Sequence, residues 1–108
     1  MGFFNFFKTP EQIKSLKAAD FKTAIADKDV QLIDVRTAQE FNQGTIGNAT
    51  LIDVYSRDFE QEVEKLDKTR PVAVFCHSGA RSLHAAKVLA HKGFSVIYDL
   101  QGGIVTWR

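Results

Sequence analysis

The chain carries one cysteine, Cys76, and the residues that follow it are of types that can activate a thiol. They read His77-Ser78-Gly79-Ala80-Arg81-Ser82. A loop that curls from a strand into a helix points successive backbone N–H groups inward. Those amides, with the positive end of the helix dipole, make a cradle for an anion. A cysteine at the mouth of such a cradle is favoured as thiolate over thiol, and the thiolate is the nucleophile. Arg81 adds a fixed positive charge, with four residues between it and Cys76. Gly79 permits the positive φ that so tight a loop requires. The spacing therefore predicts an activated thiolate facing a small anion. Cys76 is the candidate nucleophile, and His77, Ser78, Gly79, Ala80, Arg81 and Ser82 are the candidate substrate-binding residues. The plainer alternative is an inert, buried structural cysteine at a strand end.

Flanking elements must place this loop. Val72-Ala73-Val74-Phe75 is a continuous apolar run, which predicts a strand buried on both faces. From Arg81 a helical pattern begins. Leu83, Ala86 and Leu89 share one face, Ser82, His84, Lys87 and His91 lie mostly on the other, and Gly93 is the stop signal. The cysteine thus opens a loop between a buried strand and an amphipathic helix.

The remaining chain fits one ordinary domain. It has 108 residues, 44% apolar and 25% charged, with a formal net charge of +1. That length suffices for a single core. The near-neutral balance gives no electrostatic reason to expect nucleic acid as partner. A single cysteine excludes an internal disulfide and a cysteine-rich metal site, and metal binding by His77, His84 or His91 is not expected. No cofactor is implied. A free thiol fits a reducing compartment, here the cytoplasm, and no apolar run reaches the length of a membrane span.

Residues 1–12 read as a Phe-rich N-terminal segment and 13–108 as the single domain. Phe3, Phe4, Phe6 and Phe7 are expected to dock on the core or to form a homodimer or partner contact, with a membrane surface as the alternative. Thr9-Pro10-Glu11-Gln12 has the form of a capping box at the start of a short helical turn. Asp20 to Ala26 is expected to be a small helix with Phe21 and Ile25 on one face. Val30 to Val35 is expected to be a strand, with Asp34 near its C-terminal end. Thr37 and Glu40 form a second capping box, so Glu40 is assigned as a helix cap or the ion-pair partner of Arg36 rather than a general base. Thr50 to Val54 and Ser95 to Tyr98 are expected strands. Arg57 to Leu66 is an expected helix capped by Ser56, with Phe59, Val63 and Leu66 as its core stripe. Gly102-Gly103 allows a turn into a terminal segment, where Trp107 is expected to close the core near the cysteine loop. Strands alternating with helices argue an α/β layer architecture with a mostly parallel sheet.

Three stretches resemble the rhodanese family of sulfurtransferases. Cys76 to Ser82 resembles the family's active-site loop. Leu32-Ile33-Asp34-Val35-Arg36, with Glu40-Phe41 and Gly44-Thr45-Ile46, resembles its first signature, and Leu100-Gln101-Gly102-Gly103 with Trp107 resembles its last. The resemblance implies a five-stranded, mostly parallel sheet flanked by helices on both faces, with a first strand at about Lys14 to Lys17. It departs where relatives carry Gly-His-Ile, because Thr45 replaces the histidine.

The resemblance further implies that Cys76 takes a sulfane sulfur from a donor such as thiosulfate and passes it, as a persulfide, to cyanide or a thiol. Arg81 would hold the donor's anionic end or serve as a structural charge, and His77 would contact the donor or stand idle. With no second cysteine, the acceptor must be external. Two other readings stay open. Phosphatases and arsenate reductases of related fold place five residues, not four, between Cys and Arg. Non-catalytic binding modules of this fold often lack the cysteine or break the loop.

Overall fold

The computed structural model describes residues 9–107. The N-terminal phenylalanines, and the docking or partner role read for them, lie outside the described residues. The elements alternate as expected of an α/β chain: β1 (Ile13–Leu16), α1 (Ala18–Ile25), β2 (Gln31–Asp34), α2 (Ala38–Asn42), β3 (Thr50–Leu51), α3 (Phe59–Val63), β4 (Val72–Phe75), α4 (Ala80–His91), β5 (Ile97–Leu100) and a 3₁₀ turn (Ile104–Thr106). All five strands are parallel, in the order β1-β5-β4-β2-β3.

The central strand is β4, and each of its four residues is fully buried. A strand covered on both faces has no polar side, which is why Val72 to Phe75 reads as an unbroken apolar run. On one face Val72 and Val74 pack with Ile33, Ile97, Phe59 and Val63 of α3, and Ala85, Ala86 and Leu89 of α4. On the other, Ala73 and Phe75 pack with Phe21 of α1, Leu100, Ile46 and Ala49, with Trp107 at the margin. Phe21 is the pivot of this second layer. Its ring meets Phe75 edge-on at 6.5 Å and Trp107 at 6.0 Å, geometries that suit aromatic quadrupoles.

Several boundaries differ from the sequence reading, each for a local reason. Thr9 to Gln12 starts no helix; Ile13 N–H donates to the Pro10 carbonyl at 3.0 Å, a single turn leading into β1. β3 stops at Leu51 rather than Val54 because Asp53 folds the chain into a turn, its carboxylate accepting from Tyr55 N–H at 2.8 Å. α3 is limited to five residues. Ser56 accepts from Asp58 N–H at 3.1 Å in a side-chain turn, and Lys65 and Leu66 bond three residues back instead of four. β5 runs two residues later than expected, because Asp99, a poor strand residue by type, is kept inside the sheet by a hydroxyl partner.

Truncating the pivot tests the layer model of the core. Phe21→Ala should cost about 3–5 kcal/mol, read from urea unfolding; a loss below about 1 kcal/mol would show that α1 is not held by this ring.

Candidate active site

The C-terminal edge of the parallel sheet is where α/β folds of this kind bind ligands. Here the chain leaves the buried end of β4 at Cys76 and re-enters regular structure at Ala80, so the loop is confined to three residues. Gly79 makes the reversal with φ of 114°, and the amides of Ala80, Arg81 and Ser82 open α4 without intrahelical acceptors. Cys76 Sγ accepts from the Gly79 N–H at 3.0 Å. That contact sets one backbone donor against the sulfur. Of the cradle amides expected from sequence, Gly79's is the one seen on the sulfur. The residue is 1% exposed, while His77, Ser78 and Ala80 stand exposed around it. The sulfur therefore lies at the base of the loop rather than at its rim.

Three supports hold the loop. The first is Arg81, which is turned back. Its two terminal nitrogens donate to the two carboxylate oxygens of Glu40 at 2.8 and 3.0 Å. The Arg81 hydrogen bonds hold the Glu40 carboxyl down at about 2 against partial burial, and the ion pair in turn raises Arg81. Glu40 also closes the capping box with Thr37 at the start of α2. Glu40 is thus a cap, as read from sequence, but its ionic partner is Arg81 and not Arg36. The Arg81 guanidinium lies 5.8 Å from the Tyr55 ring centre, and the two residues share a cleft of about 300 Å³ with Val54, Ala80 and His84.

The second support is the C-terminal segment. Ile104 N–H donates to the Cys76 carbonyl at 2.9 Å and Val105 N–H to the His77 carbonyl at 3.3 Å. Gly103 (φ 75°) lies so close beneath the loop that an added Cβ would strike the His77 carbonyl group and come within 2.6 Å of Ser78 N. The Gly-Gly pair read as a turn is therefore also a requirement of the cysteine loop. The signal for it was the sequence Leu100-Gln101-Gly102-Gly103 itself.

The third support corrects the sequence reading of Ser82, which places it on the polar face of the helix among the substrate-binding residues: its side chain turns into the core. Ser82 is fully buried, and its hydroxyl lies 2.6 Å from Asp99 Oδ1 and 3.1 Å from the Gly79 carbonyl. Burial pushes the Asp99 carboxyl up to about 6, with the Ser82 hydrogen bond pulling the other way. No spacing rule links Ser82 to Asp99, since only sheet register brings them together.

Asp34 and Arg36 form a separate, buried unit. Arg36 Nε and Nη2 donate to the Asp34 carboxylate at 2.9 and 2.7 Å, Thr45 Oγ1 donates at 2.8 Å, and Arg36 Nη2 reaches the Gly44 carbonyl at 2.7 Å. Thr45 thus supplies a hydrogen bond to Asp34. The Asp34–Arg36 pair braces the turn after β2 and takes no part in the cysteine loop.

Comparisons with known proteins place this geometry. The rhodanese-like domain family matches residues 17–108, and the chain belongs to that family. The thiosulfate sulfurtransferase GlpE of Shewanella oneidensis is 34% identical over 81 residues, covering 75% of this chain and 78% of that protein. The tRNA uridine(34) hydroxylase of Pelagibacter ubique is 40% identical over 84 residues, 77% of this chain; the match spans only 28% of that longer protein. A rhodanese-related protein of Thermoplasma volcanium, solved by crystallography, superimposes with a TM-score of 0.76 at 32% identity, covering 87% of this chain and 89% of that one. The family and its named relatives support sulfur transfer as the general chemistry. Among the described residues no helix is long and apolar enough to cross a membrane.

Two substitutions test the supports. The Glu40–Arg81 pair stabilises the fold in full above the ordinary glutamate range and is lost as pH falls from about 4.5 toward 2. Glu40→Gln keeps the cap but loses the charge. It should lower Tm at pH 7, with the deficit closing toward pH 2; a constant deficit would mean the pairing is not the cause. Gly103→Ala should lower the urea midpoint, and a wild-type value would refute the close approach.

Proposed function

We infer that this domain moves a sulfane sulfur from a donor such as thiosulfate to an external nucleophile through a persulfide on Cys76. The observation that carries the reading is the sulfur of Cys76 at the end of β4, bonded to Gly79 N–H and facing the opening turn of α4. In the first half-reaction the thiolate attacks the outer sulfur of thiosulfate. A Cys76 Sγ–S bond forms, the donor's S–S bond breaks, and its electron pair leaves on sulfite. In the second, cyanide or a thiolate attacks the outer persulfide sulfur and returns Cys76 as thiolate. The amides of the loop and first helical turn meet both anionic sulfurs.

Arg81 serves this scheme by fixing the loop. Its bidentate bond to Glu40 leaves the anionic end of the donor to the amides of the helix start, with His77 and Ser78 at the rim. A three-residue loop makes a small hollow, suited to one sulfur atom rather than a tetrahedral oxyanion, which speaks against phosphate ester chemistry. An intact loop around the thiol speaks for catalysis over a purely binding role. The absence of a second cysteine makes the acceptor an outside molecule, and a reducing cytoplasm is the setting in which such a thiol stays available. The name of the GlpE relative supports thiosulfate as the donor to try first.

Steady-state kinetics test the scheme. Thiosulfate and cyanide varied together should give the parallel reciprocal plots of a double displacement, and Cys76→Ser should abolish turnover while retaining wild-type Tm within a few degrees. Intersecting plots, or a serine variant that still turns over, would overturn the assignment.

A further inference from the structure

The Ser82–Asp99 pair has a property that the sulfur-transfer scheme does not use. Ser82 has one hydroxyl proton and two acceptors within reach, Asp99 Oδ1 at 2.6 Å and the Gly79 carbonyl at 3.1 Å. Which one it serves depends on Asp99. As a carboxylate, Asp99 takes the Ser82 proton. As a carboxylic acid, it donates its own proton to Ser82 Oγ and frees the Ser82 O–H for the Gly79 carbonyl. The Gly79 carbonyl and the Ala80 N–H are two ends of one peptide group. A hydrogen bond accepted at the carbonyl polarises that group and strengthens its N–H as a donor. Ala80 is the first residue of α4, where the N–H has no intrahelical acceptor.

We propose that Asp99 is a positioning residue of the active loop: through the single Ser82 hydroxyl, its protonation state sets whether the Gly79 carbonyl beside Cys76 accepts a second hydrogen bond in addition to the helical one from Leu83 N–H. The inference rests on the sulfurtransferase reading for its meaning in catalysis but not for its geometry. Asp99 is 4% exposed and lies in β5 between two parallel neighbours. Its register partner in β4 is Val74, two residues before Cys76 on the same face, and in β1 it is the exposed Ser15. From α4 the group that reaches it is Ser82; Arg81 is paired with Glu40, and His84 and Lys87 are exposed. Lys14 and Lys17, flanking Ser15 in sequence, are also exposed. Burial and the Ser82 hydroxyl are what govern its titration, and no charged side chain among the described residues contributes.

The direction follows. Below a midpoint of about 6 the acid form predominates, Ser82 serves Gly79, and the Ala80 N–H is the stronger donor into the loop. As pH rises through that midpoint, the Ser82 O–H turns to donate to the carboxylate and the cradle weakens.

The experiment is a pH titration of backbone amide shifts by two-dimensional NMR, in a Cys76→Ser background so that the thiol contributes nothing. The Ala80 amide should shift with a midpoint near 6. In Asp99→Asn that inflection should vanish. In Ser82→Ala, Asp99 should still titrate by its own carboxyl signal while the Ala80 amide no longer follows; this second variant covers failure of the first to fold. An Ala80 shift that persists in either variant, or is absent with Asp99 and Ser82 both intact, would overturn the proposal. In the protein with Cys76 intact, the pH profile of kcat/KM for thiosulfate should carry an inflection near 6 that Asp99→Asn removes. Loss of all thiosulfate turnover with the NMR inflection intact would refute the donor assignment and leave the switch standing.

Discussion

Everything near Cys76 depends on how closely backbone can approach backbone beneath it. The loop from β4 to α4 has three residues in which to reverse direction and still bring the Gly79 N–H onto the cysteine sulfur. It can do so only against a floor without side chains, and Gly103 is that floor. A Cβ there would occupy the space of the His77 carbonyl group, and the loop would have to rise off the strand end. The same segment then donates two amides to the Cys76 and His77 carbonyls, so the peptide groups of both residues are held from below. The C-terminal turn is in this sense part of the site, although it carries no reacting group.

The other constraints act on the far side of the loop. Arg81 reaches outward to Glu40 and ties α4 to the cap of α2, while Ser82 reaches inward to Asp99 and ties α4 to β5. Two adjacent residues of one helical turn thus hold the loop from opposite directions, one by a partly exposed charge pair and the other by a buried hydroxyl. The two respond to different conditions. An exposed ion pair weakens with salt and at low pH, whereas a buried hydroxyl beside a carboxyl responds to the gain or loss of a single proton.

Much of this was legible in the sequence, for reasons that can be named. Val72 to Phe75 declared itself because a strand covered on both faces needs no polar side. The Cys76 loop declared itself because a nucleophile, a glycine and an arginine fell between a strand and a helix. The Thr37–Glu40 cap was local and therefore readable. What escaped was whatever depended on register. The partner of Glu40 is 41 residues away, and Arg36, four residues before it, was the nearer but wrong choice. The last strand is read as stopping at Tyr98, and Asp99 lies inside it because Ser82 answers its buried carboxyl, a partner visible only once β5 is placed under α4. The short α3 and β3 were overextended because Ser56 and Asp53 turn the backbone with their own side chains, a competition that apolar periodicity does not record.

The central claim is that Cys76 carries sulfur between two outside molecules, and one measurement addresses it with no assumption about rates. The intact mass of the reduced protein is taken after incubation with thiosulfate, and again after cyanide is added. The mass should rise by one sulfur atom, about 32 Da, and cyanide should remove that gain. A folded, reduced protein whose mass stays unchanged by thiosulfate, or whose added mass survives cyanide, would contradict that claim.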